Sequence, residues 1–290
     1  MVYTRPMLEQ LGDKVKQELR EWTERMVGPE RQARLAALSR TDSEYGVDPF
    51  GFNLDYGLSA LAPFIWLYRN YHRVETSGLE NVPSGRVLLI SNHSGQLPMD
   101  GAMINLALLL DSESPRAVRS MVEKWVPTLP YVSTFMARMG QIVGTPENCR
   151  RLLESEEAIL VFPEGTRGLG KLWPQRYQLQ EFGLGFMRLA LETHTPIVPV
   201  AVVGAEEQAP ALVNVKPLAR MLGFPSFPLT VTGVPLPLPT KYRIYFGEPL
   251  RFSGGPDDED SELDKKVRTV KNAIQAMLNQ GLKERQGIFW

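Results

Sequence analysis

Three short apolar runs constrain this chain more than any other feature: Val87-Leu-Leu-Ile90, Ala158-Ile-Leu-Val-Phe162 and Ile197-Val-Pro-Val-Ala-Val-Val203. Each is short for a helix, and none has a charged residue to turn outward. Such runs suit strands covered on both faces. Helix-period segments lie between and around them, at Asp100–Leu110, Val126–Arg138, Glu147–Leu153 and Glu181–Glu192. Weaker strand patterns occur at Ala117–Met121 and Gln141–Gly144, and a half-buried alternation at Tyr242–Phe246. Strands alternating with helices predict an α/β domain: a mainly parallel central sheet flanked by helices.

Other patterns hold at the two ends. Leu8, Leu11, Val15, Leu19, Trp22 and Met26 form one apolar stripe of a helix that Gly28-Pro29 ends. A short helix is expected at Arg31–Leu38, a loop at Asp48-Pro-Phe-Gly51, and a third helix at Leu54–Tyr71, apolar nearly all round. Behind the sheet pattern, the acidic stretch Gly254–Asp260 leads into a closing helix over about Glu262–Leu282. The expected organisation is a helical section at 1–72, the α/β domain at 73–253, and a linker with the C-terminal helix at 254–290.

Composition removes several function classes. Among 290 residues, apolar types make up 43% and charged types 22%, which argues against disorder. Lys and Arg total 32 against 33 Asp and Glu, so a general electrostatic grip on nucleic acid is disfavoured. One cysteine, Cys149, excludes an intrachain disulfide and a Cys-based metal cage; three histidines (His72, His93, His194) leave little for a His-rich one. No metal or redox cofactor is expected. The first residues lack the apolar core of a signal peptide, so the expected location is the cytoplasm.

No window reaches the roughly 20 apolar residues of a spanning helix. Leu58–Tyr68 is apolar but short, and Met221–Thr240 carries no charge but five prolines. Either these pack in the core, or they dip into a bilayer interface, with Phe64, Trp66, Phe224 and Phe227 as wedges.

The chemistry-bearing residues follow the buried strands, where ligands collect in α/β folds. After Val87–Ser91 comes Asn92-His93-Ser94-Gly95-Gln-Leu-Pro98-Met-Asp100. Gly95 and Pro98 let the chain double back, so Asp100 can hold one ring nitrogen of His93 and leave the other as a base. From these residues alone, a loop histidine beside a helix N-cap is an equally good reading. After Ala158–Phe162 comes Pro163-Glu164-Gly165-Thr166-Arg167. It joins a carboxylate, a glycine, a hydroxyl and a guanidinium suited to phosphate or carboxylate. Alone it reads equally as a polar turn with an internal ion pair. Neither a Gly-x-Ser-x-Gly elbow nor a P-loop is present.

Taken together, these segments resemble the glycerolipid acyltransferase superfamily, the lysophosphatidate-acyltransferase-like enzymes. The resemblance rests on His93 with a following Asp100, on Phe162-Pro-Glu-Gly-Thr-Arg167, and on Ile197-Val-Pro-Val200, in that order over about Val74–Arg251. Gly140-Gln-Ile-Val-Gly-Thr145 stands at the family's second block without the arginine often found there. Six residues separate His93 from Asp100 instead of four, which is similar to a branch with monoacylglycerol and diacylglycerol acyltransferase-like proteins. Phe182-Gly-Leu-Gly185 replaces a Phe-Lys-Lys-Gly stretch of many phosphate-acceptor members, leaving the acceptor phosphorylated or neutral.

The resemblance implies a glycerol-3-phosphate-acyltransferase-like fold and transfer of a fatty acyl group from acyl-CoA or acyl carrier protein to a hydroxyl of a glycerolipid. His93 is then the general base and Asp100 its orienting partner. Glu164, Gly165, Thr166, Arg167, Lys171 and Arg176 become the substrate-binding set, and backbone N–H groups near Gly95 or Gly165 the oxyanion donors. It also implies a membrane lipid acceptor, reached from the cytoplasmic face by peripheral or monotopic contact. The alternatives are a non-catalytic lipid- or acyl-carrier-binding protein on the same scaffold, and a thioesterase or lipase that uses water.

Overall fold

The computed structural model describes residues 7–29, 46–94, 99–124, 126–128, 131–215, 217, 219, 221, 227–231 and 237–290. The apolar runs form strands β2 (Val87–Ser91), β5 (Ala158–Val161) and β6 (Ile197–Val203), adjacent in the order β6-β2-β5 and mutually parallel. Strand β3 (Val118–Val122) adds parallel to β5, and β4 (Ile142–Val143) to β3. On the other side, β9 (Arg243–Phe246) runs antiparallel to β6, and β1 (Glu75–Ser77) lies parallel to β9 at the edge. The sheet has seven strands in the order β1-β9-β6-β2-β5-β3-β4, mainly parallel as expected.

The unbroken apolar runs have a packing cause. Successive side chains of a strand point to opposite faces. Val87 and Leu89 enter one core with Val198, Val200 and Val202; Leu88 and Ile90 enter the other with Ile159, Ile197 and Ala201. Helices cover both faces. On the first lie α2 (Leu54–Trp66), extended by a π-helical turn at Leu67–Tyr71, and α3 (Met99–Leu110), which contribute Ile65, Tyr68, Met103 and Leu108. On the second lie α5 (Pro146–Glu154), α7 (Gly185–Glu192) and the C-terminal helix α8 (Asp260–Glu284). Fully burying one such Leu or Ile contributes roughly 1.5–3 kcal/mol. Thr145 caps α5 by accepting from Asn148 N–H, with Pro146 at the first helical position, where its missing donor costs nothing.

Several expectations need correction. Val126–Arg138 is not one helix: a 3₁₀ turn at Val126–Thr128 precedes helix α4 at Val132–Arg138. The helix expected from Glu181 starts at Gly185, because 180–183 is drawn onto the Glu164 turn: Gln180 N–H reaches Glu164 and Gly183 N–H reaches Pro163. A two-stranded ribbon, β7 (Ala211–Asn214) and β8 (Pro228–Thr230), was not anticipated. The N-terminal helix α1 (Met7–Val27) packs on α2, but its stripe is covered unevenly: Met26 packs against the core, with Val27 beside it buried, whereas Val15 and Leu19 stay exposed. The helix expected at Arg31–Leu38 lies outside the described residues. No helix among those described is long and apolar enough to cross a membrane.

Candidate active site

Neighbouring parallel strands deliver the site from their carboxyl ends. The loop after β2 carries His93, the loop after β5 carries Glu164, and the turn after β6 carries Glu206. Asn92 fixes the exit of β2: its side chain donates to Val202 O (3.1 Å) and accepts from Val202 N–H (2.8 Å), replacing a ladder pair with β6.

His93 Nδ1 lies 2.8 Å from Asp100 Oδ2. Asp100 is fully buried at the start of α3 and also accepts from Ser94 N–H (2.8 Å), Ser94 Oγ (3.0 Å) and its neighbour Gly101 N–H (2.8 Å). A group surrounded only by donors is suited to a carboxylate. The imidazole stacks on Phe162 with centroids 4.2 Å apart and lines a cavity of about 1080 Å³. Nε2 has no protein hydrogen bond among the described residues. The cavity wall is mainly apolar, with Leu61, Phe64, Leu106, Phe135, Met136 and Phe186. Cys149 is also on it, its thiol pushed up to about 11 by burial, which makes it inert.

Glu164, 1% exposed, does not face the cavity. It accepts from His93 N–H and Gln180 N–H, each at 2.9 Å, and pairs with Lys171 at 3.1 Å. Gly165 adopts φ 55°, ψ −142°, a conformation that favours glycine, and it lines the cavity. Its N–H donates to Phe162 O at 3.0 Å, so this donor is already engaged and not free for an oxyanion. Gly95, the other candidate donor, lies outside the described residues. Thr166 and Arg167 begin a short helix, α6 (Thr166–Leu169). Arg167 points outward with 54% of its side chain exposed, beside Glu181 at 3.1 Å.

Two candidate substrate ligands are engaged elsewhere. Lys171 is enclosed between Glu164 and Glu206, and Arg176 stacks on Trp173 (4.2 Å) with Glu207 3.9 Å away. The wedge candidates divide as well. Trp66 is 43% exposed, Phe64 turns onto the cavity wall, Phe227 is half-buried, and Phe224 lies outside the described residues.

Sequence reasoning passed over Asn92, Phe162, Glu123 and Glu206. Glu206 had a usable signal: like His93, it is polar and follows a buried strand directly. Glu123 follows β3 in the same way and lines the cavity; its Oε1 lies 3.1 Å from where a Cβ on Gly165 would sit. Among the described residues, no cluster of His, Cys, Asp and Glu could hold a metal ion.

A family model described as Acyltransferase matches residues 73–203. Uncharacterized protein ML2427 of Mycobacterium leprae is 39% identical over 264 residues, 87% of this chain and 72% of its own length. The mouse protein named DGAT1/2-independent enzyme synthesizing storage lipids is 23% identical over 220 residues, 72% of this chain and 61% of that one. Among solved structures, the 1-acyl-sn-glycerophosphate (LPA) acyltransferase PlsC from Thermotoga maritima superposes with a TM-score of 0.51. At 18% identity it covers 79% of this chain and 84% of its own, and it shares the fold. With the motif order and the strand-end placement of His93 and Glu164, these likenesses identify the chain as a member of the glycerolipid acyltransferase superfamily.

Proposed function

We propose that the protein transfers a fatty acyl group from a thioester, acyl-CoA or acyl carrier protein, to a hydroxyl of a glycerolipid acceptor. The observation that carries this reading is His93 Nδ1 held by Asp100 while the ring lines a large apolar cavity. Nε2 takes the acceptor's hydroxyl proton as its oxygen attacks the thioester carbonyl. The tetrahedral intermediate then collapses, the C–S bond breaks, and the imidazolium returns the proton to the leaving thiolate. Asp100 keeps the tautomer that presents Nε2 as a base and stabilises the imidazolium. General-base assistance of this kind contributes about 10²–10⁴-fold.

The cavity's apolar wall suits the acyl chain. The enclosure of Lys171 between two carboxylates removes one candidate phosphate ligand, which favours a neutral acceptor. Arg167, exposed and, among the described residues, paired only with the still more exposed Glu181, is the cation of this turn that suits the donor's phosphates. Exposed apolar side chains occur on the α1–α2 pair (Val15, Leu19, Trp66) and on the β7–β8 ribbon (Leu212, Val213, Leu229). They support peripheral contact with the cytoplasmic face of a membrane that holds the acceptor.

The test is thiol release from acyl-CoA with monoacylglycerol, diacylglycerol, lysophosphatidate or glycerol phosphate, following product mass. Acceptor-dependent release should drop about 10²–10⁴-fold in His93→Ala. Full turnover in that variant rejects the mechanism, release indifferent to acceptor indicates a hydrolase, and binding without release indicates a lipid carrier.

A further inference from the structure

We infer that Lys171 is a positioning residue: its ammonium ties the loops on either side of the His93 loop into one rigid frame. This inference rests on the acyl-transfer reading. In the sheet, β2 lies between β6 and β5, so the His93 loop emerges between the turn that carries Glu206 and the loop that carries Glu164. Lys171 Nζ spans that gap, 3.1 Å from Glu164 Oε2 and 3.0 Å from Glu206 Oε1. All three side chains are at most 4% exposed.

Each carboxylate in turn holds backbone. Glu164 accepts from His93 N–H and Gln180 N–H, and Glu206 accepts from Tyr177 N–H at 2.8 Å. Lys171 is thus one side-chain contact from the amide of His93 itself. The ammonium stays charged there: burial opposes it, but the two carboxylates outweigh burial and raise its pKa above the ordinary lysine value. Glycine at 168 completes the fit, since a Cβ there would stand 3.0 Å from His93 Cβ and 3.1 Å from Glu164 Cβ. Lys171 reaches no cavity wall, so its effect on the reaction must pass through Glu164 to the His93 backbone. Misplacing a reacting group by about 1 Å can cost on the order of 10²-fold.

The test uses Lys171→Met and the double variant Lys171→Met/Glu206→Gln. The double variant keeps the cluster's net charge of one negative and leaves an amide oxygen for Tyr177 N–H, which guards the fold. The chain has three histidines, so the titration of each imidazole is readable by ¹⁵N-edited NMR. In the folded double variant, the His93 signals and midpoint should move while those of His72 and His194 stay, and kcat should fall about 10–100-fold with little change in KM. His93 signals that match the wild type overturn the positioning role, whether or not turnover is seen. So does a kcat loss no larger than the loss of folded protein. Absence of acceptor-dependent turnover in the wild type overturns the acyl-transfer reading instead, and the NMR comparison still decides the role of Lys171.

Discussion

His72 shows how one side chain couples burial to pH. It is fully buried at the end of the π-helical turn, its Nδ1–H donates to Thr240 O at 3.0 Å, and its Nε2 has no hydrogen-bond partner among the described residues. Burial is the main cause that lowers its pKa to about 4; the Thr240 bond opposes this, and the Arg73 charge adds to it. A folded-state value below the unfolded one means stability is complete above about 6.5 and lost as pH falls toward 4, up to roughly 3 kcal/mol. Thermal melts between pH 7 and 4 should therefore show a steeper loss in the wild type than in His72→Gln. Parallel slopes would remove His72 as the cause. The same scale explains what could be read from single residues. His93 and Asp100 stood out because both types are needed for base catalysis and both flank a glycine–proline bend. The enclosure of Lys171 and the pairing of Arg176 could not be read that way, since Glu206, the second partner of Lys171, and Glu207, beside Arg176, lie 35 and 31 residues ahead.

Among the elements, the short helix α6 illustrates how tightly the site is packed. Gly168 lies against His93 Cβ, which is not the free end of a flexible side chain. Gly168→Ala should therefore lower kcat about 10-fold or more by displacing the imidazole, with a small change in folding stability, on the order of 1 kcal/mol or less. Wild-type turnover in that variant would show that the His93 loop tolerates the added methyl. The β7–β8 ribbon makes a different prediction. Leu212 is 62% exposed, and Val231 just beyond β8 is 54% exposed. Leu212→Asp with Val231→Asp should weaken cosedimentation with liposomes at unchanged melting temperature, and equal binding would assign membrane contact to another surface. Strands buried on both faces were legible because every residue must be apolar. Ribbon strands and β1 were not: Glu75-Thr-Ser77 owes its extended state to pairing with Arg243–Tyr245, far along the chain.

The whole molecule sets the space in which a fatty chain must fit. The cavity is walled by α2, α3, α4, β3 and α7, so its depth belongs to no single segment. Ala102, half-buried on α3, lines it. Ala102→Phe should lower turnover of long-chain acyl-CoA more than that of short-chain acyl-CoA, measured as a ratio of kcat/KM values. An unchanged ratio would place the chain elsewhere.

The class of fold was legible in the order of amino acids, through apolar runs that only a doubly covered sheet can bury, and so were the residue types of the site, through their position at strand ends. The antiparallel turn of β9 against β6, the enclosure of Lys171 and the outward swing of Arg167 were decided by tertiary structure alone. The physical reason is range. Burial leaves its mark on each residue's own chemistry, whereas the partner of a charge and the direction of a strand depend on which distant segments the completed sheet brings within hydrogen-bonding reach.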